Sequence, residues 1–504
     1  MWKTVTKIWL LGAVATIGCA QPEPPLPPPN VVLITVDALR ADFVSYAGHP
    51  NPTSPKLDAF AHESVVFTEA VTSFPGTAPS MPSLMTGLYP SFEGVEAWTR
   101  ATRHGLNEFE SAGESELPGL SDNVRMLAEI LSGNGYQTLG FNTNPNLSKT
   151  ANFDQGFSEY FQFQAYLKKI RAERDHQLIG NYPPGQLVVG RVLKRLEEGF
   201  SQPVFLWIHL MEPHSPYLPP EEYARLFGRT DTGFTDLEIN ESLYHLLYTQ
   251  WGSFKAAQGL PSPEDRGLDR EAFVDHLLGL YEGEIRFLDG QLHRLFEGLR
   301  RQELWENTLV MVTADHGEEF LDHGYVTHHP NTGLAEELIR IPLVLKPPSG
   351  EPSGVVIDDL VRMVDFAPTI LDYTGLSADA DHMEGVSLRP LIEDEDMPPL
   401  KAFYSTIPYN IVRDSRWKYR FEKSPPDGGP ARERLFDLVA DPMELHDVAD
   451  RHPEVVERMR RQYREFALGL ADRAPPTDAS PVPRQEEIDR EELERLKALG
   501  YVTD

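Results

Sequence analysis

The stretch NVVLITVDALRAD, residues 30–42, carries a mostly apolar run of strand length and then breaks at Asp37. A continuous run of Val, Leu and Ile suits a strand buried on both faces, as in a parallel sheet covered by helices. NTLVMVTADHGEE, residues 307–319, repeats that shape and breaks at Asp315. PVFLWIHLMEPHSPY, residues 203–217, is a third such run with polar residues at its end, and ELIRIPLVLKPP, residues 337–348, reads as another strand. Helical stretches lie between them; in NVRMLAEILSGNGYQ, residues 123–137, Gly135 is placed to cap the helix. Strands alternating with helices predict an α/β fold with a mostly parallel sheet and helices on both faces. Ligands of such sheets bind at the carboxyl ends of the strands.

At 504 residues the chain is long enough for one large domain and a smaller one. Its 77 acidic against 46 basic residues give a formal charge of −31, which argues against nucleic acid or an anionic membrane as a broad-surface partner. An anionic substrate therefore needs a local site. The only cysteine, Cys19, follows Lys3, Lys7 and IWLLGAVATIG, a run too short to span a bilayer. With the proline-rich AQPEPPLPPPN behind it, this looks like a bacterial lipoprotein signal and tether, although Thr16 stands where such sites usually carry Leu. The expectation is a lipid anchor at Cys19 and a place in the bacterial cell envelope, periplasmic or surface-exposed.

The predicted organisation is a signal segment over 1–19, a tether over 20–29, a catalytic domain over 30–375, an α+β subdomain over 376–475 and a tail over 476–504. AFYSTIPYNIVRDSRWKYRFEK and RERLFDLVAD read as antiparallel strands, and HPEVVERMRRQYREFALGL as an amphipathic helix. In the tail, Leu493, Leu496 and Leu499 lie on a short helix able to dock on the body.

Asp37, Asp315 and His316 all fall at carboxyl ends of predicted strands, and carboxylates with imidazole suit a divalent cation. An aspartate after a strand also serves as a helix N-cap, and a lone histidine as a core residue. TSFPGTAPSMPSLMTGLYP, residues 72–90, puts Thr77 and Ser80 on a Pro/Gly-rich turn running into a helix. A threonine hydroxyl becomes a useful nucleophile when a cation stabilises its alkoxide; the plainer alternative is capping of a helix starting near Pro82, which suits Ser80. His209, Glu212 and His214 in one segment, and His323, His328 and His329 in another, supply groups to bind substrate oxygens or protonate a leaving group.

Together these residues resemble the sulfatase family of the alkaline phosphatase superfamily, over essentially the whole mature chain. ITVDALRAD looks like its first metal-binding strand, TAPSMPSLMTGLYP like its nucleophile segment, FLWIHLMEPHSPY like its substrate-histidine segment and TADHGEEFLDHG like its second metal pair. AEELIRIPL, VDFAPTILDYTGL, GVSLRPL, LFDLVADPMELHDVAD and LKALGYV are similar to further landmarks. The resemblance implies an α/β/α sandwich with a large mixed, mostly parallel sheet, alkaline phosphatase-like, and a smaller C-terminal antiparallel-sheet subdomain. It also implies one or two divalent cations, with Ca, Mn, Mg and Zn not distinguished.

Departures from the family pattern bear on chemistry. The C/S-x-P-S-R signature, whose first residue becomes formylglycine, is met by Thr77 at the modified position and Met81 in place of arginine. Ala38 replaces a second aspartate, His316 replaces asparagine, and no Gly-Lys-Trp-His follows NGYQTLGF. No formylglycine is expected. Thr77 and His316 are instead similar to phosphate-handling members, which use a metal-activated threonine. On this resemblance Asp37, Thr77, Asp315 and His316 hold metal, Thr77 is also the nucleophile, and His214 contacts the transferred group. His328 or His329 binds substrate or assists the leaving group, and His209 and Asn144 bind substrate.

The expected function is a metal-dependent hydrolase of a small anionic ester or of a glycan or lipid ester, leaning to phosphate mono- or diesters or phosphonate esters. The alternatives are a sulfuric ester hydrolase, an envelope phosphoethanolamine-type transferase, and a catalytically inactive protein binding an anionic glycan or lipid. Relatives of the transferase kind commonly carry several membrane spans, and this sequence shows none.

Overall fold

A computed structural model describes residues 27–90, 120–162, 185–227, 232–250, 259–328, 334–406, 409–423 and 429–473. Cys19 and the signal segment, the tail helix with Leu493, Leu496 and Leu499, and His329 lie outside the described residues.

Among the described residues ten strands fall in the first part of the chain: β1 (Asn30–Val36), β2 (Val65–Val71), β3 (Gln137–Asn142), β4 (Glu159–Gln162), β5 (Val204–Leu210), β6 (Thr308–Ala314), β7 (Glu319–Phe320), β8 (Val326–Thr327), β9 (Leu343–Lys346) and β10 (Val355–Arg362). Eight of them form one sheet in the order β10-β2-β9-β6-β1-β5-β3-β4, while β7 and β8 pair as a separate two-stranded ribbon. Every residue of β5 and β6, and all but the first of β1, is buried, as the unbroken apolar runs require. β1 lies between β5 and β6, parallel to both, with Val36 opposite Leu210 and Ala314. The sheet is mixed because β9 runs antiparallel to β2 and β6. Residues 337–348 are thus only partly a strand: Glu336–Ile339 is a short helix, and the strand is confined to Leu343–Lys346. Pro342 explains the late start, since it has no N–H for a ladder.

The helices Leu127–Gly133, Gly185–Glu197, Arg270–Arg301 and Phe366–Tyr373 bury apolar stripes in the main core with the sheet. The first of these ends at Asn134, and Gly135 (φ +88°) takes the left-handed turn beyond it.

The second sheet is antiparallel, β11 (Ala402–Ser405), β12 (Tyr409–Arg413), β13 (Trp417–Glu422) and β14 (Arg432–Asp437), in that order. Val412, Trp417, Tyr419 and Leu435 pack on Val455, Val456 and Met459 of the helix Pro453–Arg473. A separate cluster, including Leu334, Leu338, Ile339, Tyr404 and Ile411, joins this sheet to the body. Phe466 of the long helix stacks on Phe403 at 4.1 Å and meets Tyr89 edge-on at 5.0 Å. Among the described residues no helix is long and apolar enough to cross a membrane.

Candidate active site

The ladder that pairs β1 with β5 and β6 runs one residue past the strands. Asp37 N donates to Leu210 O at 2.9 Å and Asp315 N donates to Val36 O at 3.1 Å. Parallel register therefore brings two carboxylates together from positions 278 residues apart, as the hydrogen bond from Ala38 N to Asp315 Oδ1 (3.1 Å) records. Ala38, the residue in place of a second aspartate, turns the chain at φ +55°. Tyr281 Oη clamps that turn, donating to Ala38 O at 2.7 Å and accepting from Arg40 N at 2.9 Å. No helix starts at Asp37, so the N-cap alternative does not apply.

Thr77 is the first residue of the helix Thr77–Thr86, every residue of which is buried. Ser80 therefore lies inside this helix, its Oγ donating to Thr77 O at 3.3 Å, and is not a cap. The helix begins earlier than Pro82 suggests because Pro79 falls in its first turn, where a missing N–H costs nothing. Thr77 Oγ1 sits at the positive end of the helix, 3.4 Å from Asp37 Oδ2. Met81, in place of arginine, joins the apolar core.

Among the described residues four histidines surround this pair, and their hydrogen bonds separate them. His316 Nδ1 donates to Gly317 O at 2.8 Å, which leaves Nε2 a lone pair. That nitrogen lies 3.5 Å from Asp37 Oδ1 and 3.6 Å from Asp315 Oδ2. All three atoms are buried without a hydrogen-bond partner among the described residues. Three electron-rich atoms converging out of reach of water repel one another unless a cation lies among them, so the residues present fit a divalent metal ion. Burial and the neighbouring Asp37 push the Asp315 carboxyl up to about 7. Burial also opposes charge on Asp37, but His214, His209 and His316 outweigh it and hold that carboxyl low.

Asp37, His209 and Asp315 also offer ligand atoms all within 4.8 Å of one another. His209, however, was expected to bind substrate, and both of its ring nitrogens are engaged by the protein. Thr35 Oγ1 accepts from Trp207 Nε1 at 3.0 Å and has one proton, with His209 Nδ1 at 2.9 Å to receive it. That leaves Nε2 protonated, 3.3 Å from Asp37 Oδ2, so His209 steadies Asp37 from beneath. Asn144 likewise turns to the protein: its Nδ2 donates to Asp37 Oδ2 at 2.7 Å and to Thr77 Oγ1 at 3.3 Å. Its loop is shaped by Asn142, which accepts from Asn144 N and donates to Leu147 O.

His214, with Nδ1 donating to Ser215 O at 2.6 Å, and His328 complete the group. Their ring centroids are 5.0 Å apart, and His328 is 4.3 Å from His316. His328 is buried, not loop surface. Burial and His214 push it down to about 3. Glu318 was missed: its Oε1 lies 3.0 Å from His328 Nδ1. In TADHGEE it is one of two adjacent glutamates, and nothing in the string separates it from Glu319. Glu212 and His323 do not join this group: Glu212 Oε1 accepts from Gly185 N at 2.6 Å, and His323 faces Glu337 at 3.4 Å beside the second sheet.

A buried carboxylate pair, an imidazole and a helix-terminal hydroxyl stand together at the carboxyl edge of the sheet, a donor set suited to a divalent cation. The family model described as sulfatase matches residues 29–376, and one described as N-sulphoglucosamine sulphohydrolase, C-terminal, matches residues 327–467. The chain belongs to the sulfatase family and is a hydrolase of anionic esters. It is 24% identical to a sulfatase of Formosa agariphila, covering 87% of each chain, and 24% identical to an arylsulfatase of Clostridium perfringens, covering 86% of this chain and 93% of that one. The solved phosphonate monoester hydrolase of Agrobacterium radiobacter shares the fold, with a TM-score of 0.63, 22% identity, and coverage of 91% of this chain and all of that one.

Proposed function

We propose that this chain hydrolyses phosphorus esters, phosphate mono- or diesters or phosphonate esters, with unmodified Thr77 as nucleophile. The observation that carries the proposal is Thr77 Oγ1 at a helix N-terminus, 3.4 Å from Asp37 Oδ2 and next to the three unpartnered atoms of Asp37, Asp315 and His316. Asp37, Asp315 and His316 would hold a divalent cation, which when bound lowers the cost of negative charge on the Thr77 oxygen and on the ester. Asn144 and His209 fix Asp37, and Asn144 also orients the Thr77 hydroxyl.

In the first step the Thr77 Oγ1–phosphorus bond forms and the ester bond breaks. The Thr77 proton passes through His328 Nε2 to the leaving oxygen. In the second, water attacks the same phosphorus, and one of its protons returns by that route to Thr77 as the threonine ester opens. His214 contacts the transferred group. A threonine sulfate ester has no comparable exit, whereas a formylglycine hydrate can expel sulfate by collapsing to the aldehyde. The sulfuric ester reading is favoured by the names of the relatives, a sulfatase and an arylsulfatase.

The test is a metal-supplemented panel of aryl sulfate, phosphate monoester, phosphate diester and phosphonate ester on the purified full-length chain beside Thr77→Ala. Thr77-dependent turnover of phosphorus esters supports the proposal. Preferential sulfate turnover replaces it with the sulfuric ester reading, and no turnover by either protein points to a binding role. We also propose the lipid anchor at Cys19; palmitate labelling that persists in Cys19→Ser refutes it.

A further inference from the structure

Glu318 is held at four points. Its N donates to Glu337 O at 3.1 Å, and its O accepts from Arg40 Nη1 at 3.3 Å. Tyr217 Oη donates to Oε2 at 2.9 Å, and Oε1 faces His328 Nδ1 at 3.0 Å. The carboxylate is fully buried. Tyr217 is itself fixed, since Asn240 Oδ1 accepts from its N at 2.8 Å and Asn240 Nδ2 donates to its O at 2.9 Å. Rings of Tyr281 and Phe320 pack on Tyr217 at 5.6 and 5.5 Å. Gly317 makes this possible, because a Cβ there would lie 1.8 Å from Glu337 O. The turn after His316 can therefore press against the neighbouring backbone and aim Glu318 inward.

A phenol has one proton, and Tyr217 gives its proton to Oε2. With Glu318 ionised, Oε1 accepts from His328, which places the ring proton on Nδ1 and leaves Nε2 as the nitrogen that exchanges protons with a reacting group. We infer that Glu318 is the positioning residue that sets the tautomer and orientation of His328, with Tyr217 holding Glu318 in turn. The inference rests on the proton relay assigned to His328 above. A carboxylate behind an imidazole has the same use in other active sites, where it orients the ring without touching substrate.

Glu318→Gln is the informative change. A carboxylate offers two acceptors, whereas an amide offers one acceptor and one donor, so either Tyr217 or His328 loses its acceptor. Two readouts test the inference on the metal-loaded full-length chain. In ¹⁵N-histidine-labelled protein, with the His328 signal assigned by its loss in His328→Gln, the wild type is expected to show the Nδ1–H tautomer. Glu318→Gln is expected to shift or broaden that signal. A wild-type Nε2–H tautomer, or an unmoved signal in the variant, overturns the inference whether or not turnover is detected.

Kinetically, Glu318→Gln is expected to lower kcat about 10–100-fold with KM and bound metal unchanged, more for esters with poor leaving groups, and Tyr217→Phe to lower it less. In a His328→Ala background the same change is expected to alter kcat by no more than about twofold. Equal losses with and without His328 mean that Glu318 acts on the fold alone, and the inference falls while the relay stands. If His328→Ala itself spares poor leaving groups, the relay fails instead, and the tautomer measurement still decides what Glu318 does.

Discussion

Two groups of buried charge in this molecule are built to opposite plans. At the junction with the second sheet, Arg413 is paired with Glu336 at 2.9 Å and also with Glu69. Lys418 is paired with Glu336 at 3.2 Å and Glu444 at 2.7 Å, and donates to Leu334 O. Each cation there meets carboxylates, so the group is electrostatically closed and acts as a latch. At the edge of β1 and β6, Asp37 Oδ1, Asp315 Oδ2 and His316 Nε2 converge without a hydrogen-bond partner among the described residues. Both groups pay the desolvation penalty, but only the second leaves one acceptor atom on each of Asp37, Asp315 and His316 without a hydrogen-bond partner among the described residues. The difference marks one as architecture and the other as a place for a ligand. The short helix Glu336–Ile339 touches both: its Glu337 and Leu338 carbonyls accept from Glu318 N and Gly317 N beside the site, while the Glu336 side chain enters the latch.

The sharpest way to break this contrast is at the nucleophile. Thr77→Ala is expected to lower kcat about 10⁴-fold or more with thermal stability nearly unchanged, measured by steady-state kinetics and calorimetry. In the latch the expected outcome is the reverse. Arg413→Ala removes a buried partner shared by Glu336 and Glu69, leaving Glu336 with Lys418 alone, and is expected to cost about 3–5 kcal/mol in denaturant unfolding, with bound metal retained by what remains folded. Loss of metal in Arg413→Ala at full stability would mean that the latch belongs to the site.

Metal linkage comes next in size. A cation at 100 times its Kd stabilises the wild type by about 2.7 kcal/mol, and chelation is expected to remove that gain; Asp315→Asn should show neither the gain nor the loss. A similar metal-dependent rise in Tm for Asp315→Asn would move the cation away from these residues.

The smallest expected effect is on pH dependence. Burial alone would raise Glu336, but Arg413 and Lys418 outweigh it and hold its carboxyl at about 2, below the ordinary value of 4.5. A depressed folded pKa means that the unfolded chain binds the proton more readily. The stabilisation is thus complete above pH 4.5 and is lost as pH falls from 4.5 through about 2. The stability difference between wild type and Glu336→Gln should shrink over that window, and a difference that grows on acidification would reverse the assignment.

Much of the site was legible in the string because strand ends are local features. Asp37 and Asp315 each terminate an apolar run, and Thr77 follows a Pro/Gly turn into a helix; these patterns need no partner to be seen. Asn144 and His209 were named as substrate contacts, and the hydrogen bonds both make to Asp37 stayed hidden, because a sequence does not say where a side chain's hydrogen bond goes. Glu318 was passed over beside Glu319 for the same reason. The direction of β9 was also hidden, since an apolar run reads the same whichever way the chain crosses the sheet.

By itself the sequence determined the class of fold, the family, and which residue types stand at the carboxyl ends of β1 and β6. Local periodicity and motif spacing carry that information. Tertiary structure alone decided which atoms meet: parallel register sets Asp37 beside Asp315, hydrogen bonding spends His209 Nε2 on Asp37 while leaving His316 Nε2 a lone pair, and Tyr217 turns Glu318 onto His328. Apart from the local His316–Gly317 hydrogen bond, those outcomes depend on pairings between segments far apart in the chain, whose geometry exists only once the sheet has closed.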